Sequence, residues 1–104
     1  MIVITKKAKI ATGASHPTQW EQMPGNAGIY VDVDTSVAGF TKTPTYLTAH
    51  HGVTSHWRAV GGSSAYHATP TKFRVYIRLV GGGPLTVEFA RERSWHIQWI
   101  GIED

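Results

Sequence analysis

Eight consecutive residues, Lys72-Phe73-Arg74-Val75-Tyr76-Ile77-Arg78-Leu79, alternate without a break between apolar side chains and polar or amphipathic ones. Successive side chains of a β-strand point to opposite faces, so the pattern commits Phe73, Val75, Ile77 and Leu79 to one face. Arg74, Tyr76 and Arg78 take the other, with Lys72. A helix at 3.6 residues per turn would scatter both sets around its axis. Ile29-Tyr30-Val31-Asp32-Val33-Asp34 repeats the alternation, with Ile29, Val31 and Val33 sharing a side. These two segments are half-buried strands, and the 3.6-residue period is almost absent elsewhere.

Weaker strand candidates are Ile2 to Ile10, Thr45 to Ala49, Trp57 to Val60 and Ala65 to Ala68. Turn chemistry separates them. Pro24-Gly25-Asn26-Ala27-Gly28 precedes the first strong strand, and Pro44 opens the next candidate. Gly61-Gly62-Ser63-Ser64 reads as a hairpin turn between two short strands. Thr69-Pro70-Thr71 and Gly81-Gly82-Gly83-Pro84 bracket the second strong strand. Only Leu85 to Arg93 invites a helix, of one or two turns. Short strands with turns every ~8–12 residues predict an all-β chain, a single domain over 1–104 built as an antiparallel β-sandwich.

The closing segment, Ser94-Trp95-His96-Ile97-Gln98-Trp99-Ile100-Gly101-Ile102-Glu103-Asp104, carries apolar residues at both parities. Trp99, Ile100 and Ile102 are expected in the core, with Gly101 marking a bulge or change of burial. Trp95 and His96 are expected at the strand's exposed entry.

Composition narrows the function classes. Charged residues make up 16% of the chain, below the usual quarter. The absence of cysteine removes disulfides, thiolate chemistry and Cys-ligated zinc. The amino terminus lacks the basic segment and long apolar run of a secretory signal, and no stretch approaches the ~20 apolar residues of a membrane span. The expectation is a soluble domain without membrane insertion, made in the cytoplasm or exported by a non-classical route. The net charge of +3 and a pI near 9.5 permit nucleic acid without demanding it. No nucleophile elbow, phosphate loop or zinc-protease motif is present, so catalysis is not expected.

Ligand-capable side chains concentrate in His50-His51-Gly52-Val53-Thr54-Ser55-His56-Trp57-Arg58, between two expected strands. A sugar site needs an aromatic surface for the ring's C–H face and planar or forked groups for its hydroxyls. Trp57, Arg58, His50, His51 and His56 supply those types, and Tyr66 and His67 follow across the Gly61-Gly62 turn. The alternative is a core Trp57 with solvated loop histidines. Zinc would need three or four ligands; adjacent His50 and His51 point oppositely on a strand, so neither metal nor another cofactor is expected. Arg74, Tyr76 and Arg78 form a basic, aromatic strand face that could hold a nucleic-acid strand. The modest charge and missing RNA-binding signature favour the reading as the wet face of a sheet.

Three stretches resemble the H-type lectins, the family first known from a snail agglutinin. Lys9-Ile10 with Trp20-Glu21-Gln22-Met23-Pro24 is similar to the family's Lys-Ile and Trp-x-x-x-Pro. Tyr66-His67-Ala68-Thr69-Pro70-Thr71-Lys72-Phe73 resembles its Tyr-x-x-x-Pro-Thr-Gly-Phe, and Trp99-Ile100-Gly101-Ile102-Glu103 its Trp-Ile-x-Ile-Glu. The resemblance implies a six-stranded antiparallel sandwich that assembles as a homotrimer or hexamer. It implies shallow, metal-free sites for galactose or N-acetylgalactosamine between subunits. Asn26 is the group comparable to the family's sugar-binding aspartate, and His56 and Arg58 have the spacing of its amide and arginine. Val80 and Gly81 fall where the agglutinin has a Trp-His pair. The expected function is therefore a lectin for cell-surface glycans, multivalent through self-association. The alternatives are a non-sugar receptor-binding module and, less favoured, a nucleic-acid-binding domain. Four tryptophans, four tyrosines and three phenylalanines are more than two short inner faces easily hide, which also points to an oligomer.

Overall fold

In the computed structural model, residue 2 and residues 7–104 are described. In chain order the strands are β1 (Lys9–Ala14), β2 (Glu21–Gln22), β3 (Ile29–Asp34), β4 (Thr45–His51), β5 (Ala59–Val60), β6 (Lys72–Leu79) and β7 (His96–Glu103), with one helix, α1 (Val87–Glu92). They form two antiparallel sheets, of order β1-β7-β4 and β2-β3-β6-β5. The chain is all-β in the sense expected, with seven strands among the described residues where six were expected, two of them only two residues long. The expected helix forms and is capped by Thr86, whose hydroxyl accepts from the Phe89 N–H at 3.2 Å.

The two strongly alternating segments become the central neighbours of the four-stranded sheet, paired from Ile29↔Ile77 to Asp34↔Lys72. Their inward residues are all buried: Ile29, Val31 and Val33 from β3, and Phe73, Val75, Ile77 and Leu79 from β6. Each contributes about 2 kcal/mol by leaving water. The three-stranded sheet meets them with Tyr46 and Trp99. Tyr46 lies 4.6 Å from Phe73 by ring centroids, and Trp99 lies 6.2 Å from Phe73, edge-on. Tyr46 also donates its hydroxyl to the Thr69 carbonyl at 2.8 Å, so its polar end is satisfied where its ring is packed.

At the other end Trp20 donates Nε1–H to the Trp95 carbonyl at 2.8 Å, and Trp95 donates its own to the Thr54 carbonyl at 2.9 Å. Trp95 is 0% exposed. The exposed entry expected for it is thus incorrect: the short helix before β7 and the loop after β4 close over the ring. Its neighbour His96 is half-buried, its Nδ1 at 2.8 Å from the Ser94 carbonyl.

The expected bulge in β7 is absent. Its register to β1 and β4 runs unbroken from His96 to Glu103, so parity is kept throughout. Ile97, Trp99, Gly101 and Glu103 face inward and are buried, whereas Ile100 and Ile102 point outward and are half-buried. Gly101 serves packing: a Cβ there would stand 2.8 Å from the Phe40 ring. Glu103 closes the row by accepting from the Thr41 N–H at 2.9 Å, which holds its carboxyl below the usual value.

Other boundaries differ as well. Within the expected strand Ile2 to Ile10, residues 3–6 lie outside the described residues; the described strand begins at Lys9 and runs to Ala14. Only Ala59–Val60 of the segment Trp57 to Val60 is strand, because His56–Arg58 forms a 3-10 turn. Ala65 to Ala68 reduces to one bridge, Tyr66↔Arg74. The hairpin expected across Gly61-Gly62 does not form, since both of its sides pair with β6. Gly61, at φ 108°, sits so close to β6 that a Cβ would lie 2.1 Å from the Tyr76 carbonyl oxygen.

Candidate functional site

Parity puts Tyr30 and Asp32 of β3 on the solvent side of the four-stranded sheet, beside Arg74, Tyr76 and Arg78 of β6. Two regions differ in charge along this face. In one, Arg74 forks onto Asp32, Nε to Oδ1 at 2.8 Å and Nη2 to Oδ2 at 2.9 Å. That contact holds the Asp32 carboxyl below the usual carboxylate range and the Arg74 guanidinium firmly protonated. The same guanidinium lies 4.3 Å above the Tyr30 ring and donates to the Tyr76 hydroxyl at 3.3 Å. Asp34 accepts from the Ser36 N–H at 2.8 Å, so both β3 carboxylates have structural partners.

In the other region a groove of about 450 Å³ opens between the β6 face and the segments on either side. Tyr66 and Tyr76 form an aromatic corner, 5.2 Å apart and T-shaped, with Tyr30 5.9 Å beyond Tyr76. Val60, Met23 and Ala27 supply apolar walls, and Arg78 stands among the lining residues. Tyr66 is held by a two-way backbone bridge, its N–H to the Arg74 carbonyl at 2.7 Å and the Arg74 N–H to its carbonyl at 2.8 Å. Tyr66 is 49% exposed. A rigid aromatic corner with one forked cation suits a flat apolar ligand face carrying polar groups on its rim.

The residues expected to form one site are divided among several places. Tyr66 lines the groove, and Asn26 lies beside the lining residue Ala27, with its carbonyl accepting from the Leu85 N–H at 2.9 Å. Arg58 is exposed on its 3-10 turn and is not among the groove's lining residues; its carbonyl accepts from the Val80 N–H at 2.8 Å. His67 sits 6.5 Å from Tyr66 but borders a separate hollow with Asp32 and Lys72. Trp57 is 84% exposed on its turn, so the alternative of a core Trp57 is incorrect.

The loop histidines form no single cluster. His50 faces inward, 4.4 Å from Trp95 and 5.5 Å from His56 by ring centroids. His51 faces outward and stacks on His96 at 5.8 Å. Burial holds the His50 imidazole down at about 4, with His56, His96 and His51 adding repulsion. Its Nε2 and His56 Nδ1 are buried without a hydrogen-bond partner among the described residues. The site residues that sequence reasoning missed are Met23, Ala27 and Val60, which carry no chemical signature. Tyr76 and Arg78 were legible as the outward face of their own strand, read there as a basic, aromatic face and not as part of the sugar site.

A second feature covers the outside of the three-stranded sheet. Ile10, Leu47, Ala49, Ile100 and Ile102 point there from three strands, joined by threonines, Gln98 and the His51–His96 pair. Ile10 is 60% and Leu47 55% exposed. No Lys, Arg, Asp or Glu takes an outward position between Ile10 and Ala14, Thr45 and His51, or His96 and Ile102. A shallow trough of about 570 Å³ runs between Thr12, Leu47, His51 and Ile100. Comparison with protein-family models and with curated proteins finds no match for the chain.

Proposed function

We propose that the chain is a metal-independent lectin that binds cell-surface glycans and gains avidity by working as a homo-oligomer. The observation that carries the sugar reading is the tyrosine-cornered groove with Arg78 at its side. Its lining holds neither histidine nor carboxylate, so recognition proceeds through ring faces and a guanidinium. A galactose-type ring presents a continuous C–H patch on one side, which stacks on an aromatic wall, and hydroxyls on the other. This agrees in class with the H-type lectin resemblance. The proposed site differs in composition, being centred on Tyr66 and Tyr76 with Arg58 and Asn26 at its margins.

Self-association rests on the uncharged outer face of the three-stranded sheet, an apolar exposure of the kind partners bury. Three strands of about seven residues cover roughly 15 by 23 Å. That is below the ~800 Å² per partner of a standard interface. A closed ring, in which each copy adds flanking surface to this face, therefore fits better than an isolated pair. A trimer or its doubled form satisfies it, and several weak sites on one assembly raise avidity by ~10²–10⁴.

The nucleic-acid reading is weaker because its central cation, Arg74, is already neutralised by Asp32. A glycan array with wild type, Tyr66→Ala and Tyr76→Ala tests the proposal. Reproducible sugar hits that weaken about tenfold in either variant, with circular dichroism unchanged, support it. Silence across a broad array, with the oligomer intact, would point instead to a receptor-binding module.

A further inference from the structure

The outward face of the four-stranded sheet treats its arginines unequally. Arg74 is matched by a bidentate carboxylate. Arg78 and Arg58 are exposed, and neither guanidinium has an ion pair or hydrogen bond among the described residues. The β5–β6 register puts Val60 opposite Arg78, and Arg58 lies in the 3-10 turn just before β5, its carbonyl accepting from the Val80 N–H. The nearest carboxylate by register on this face is Glu21, opposite Tyr30 on the far side of β3. Strand spacing puts it more than about 10 Å from Arg78, around a screening length in ordinary salt.

An unmatched cation, Arg78, therefore lines a tyrosine-walled groove, with a second, Arg58, on the turn that leads into its wall strand β5, on a face that elsewhere neutralises its arginine. A ligand anion there supplies the missing countercharge and meets a planar fork suited to carboxylate or sulfate. Building on the groove's reading as a sugar site, we infer that its preferred ligands are acidic sugars, whose ring stacks on Tyr66 and Tyr76 while the acid group is held by Arg78 with Arg58 beside it. The shared chemistry is an anionic group on a pyranose ring, and it arises in two ways: a ring carboxylate or a sulfate ester.

The experiment measures affinity for matched pairs, each a neutral oligosaccharide and its carboxylated or sulfated counterpart, on the full chain. The acidic member is expected to bind about tenfold tighter, a preference that shrinks as salt rises. Arg78→Gln should remove most of the acidic-over-neutral ratio and Arg58→Gln part of it. Tyr66→Ala should weaken both members and leave the ratio in place. Carboxylated rings ahead of sulfated ones identify uronic- or sialic-acid ligands, and the reverse order identifies sulfated glycans; both support the inference. Equal affinity for acidic and neutral partners overturns it while leaving the sugar reading intact. Absence of all glycan binding overturns both. Single-stranded oligonucleotide binding tighter than any glycan also overturns the inference and assigns the corner to phosphate.

Discussion

The outward faces of the two sheets are built on the same pleat and solve opposite problems. The four-stranded face carries tyrosines and arginines, with an internal Asp32–Arg74 match and a groove at one corner. The three-stranded face carries isoleucine, leucine, alanine and threonine, with its histidines confined to one end. A wet sheet face normally takes charges, because exposed apolar area gains nothing from water. The first face follows that rule and adds a recess. The second departs from it across all three strands, an apolar exposure of the kind that marks interaction surfaces.

The largest effect should come from breaking the apolar face. Ile100→Glu puts an unpaired charge at its centre, and self-association is expected to weaken by a factor on the order of 10³. Sedimentation should then report a mass near 11.4 kDa with the fold retained. A wild-type chain already at that mass in the micromolar range would remove the contrast between the faces.

The seam between the sheets should respond to acid. His50 takes up a proton near pH 6.5 in the unfolded chain, but only near 4 when folded. Between those values the unfolded state binds more protons, so stability falls as the pH drops from 6.5 towards 4, and the loss is complete below that. With allowance for solvent screening, the loss is about 2 kcal/mol. Chemical denaturation at stepped pH measures it, and His50→Phe should flatten the curve in that window; an unchanged slope refutes the assignment to His50.

The groove gives a smaller effect. Tyr76→Ala should cost about 1.4 kcal/mol of glycan binding by calorimetry, with the oligomer's mass unchanged. If the same substitution dissociated the oligomer, the groove and the apolar face would be parts of one surface. Smallest of all is Asp32→Asn. It breaks a solvent-screened pair, so thermal unfolding should register less than about 1 kcal/mol. By leaving Arg74 unmatched, it should also raise the affinity for acidic ligands.

Much of this architecture was legible in the chain. The alternation over Ile29–Asp34 and Lys72–Leu79 named seven core residues correctly, and the helix near Leu85 to Arg93 was found from its local pattern. The candidate site was less legible. Tyr66 and Arg58 were named for their chemistry, but of their expected companions His51 parts from His50 because adjacent strand residues face opposite ways, while His56 stays with His50 on the inner side, away from the groove. Met23, Ala27 and Val60 enter through distant pairings, and a wall of the groove has no signature of its own.

Alternation along the chain determined which side chains share a face, because the pleat has a strict period of two. It could not determine which face meets the other sheet where both are apolar, as in β7. Only the tertiary structure decided that Trp95 is sealed and that Ile100 and Ile102 look outward. The physical reason is that burial depends on what packs opposite a residue. Phe40 packs over Gly101, and a helix and loop close over Trp95; those neighbours come from elsewhere in the sequence.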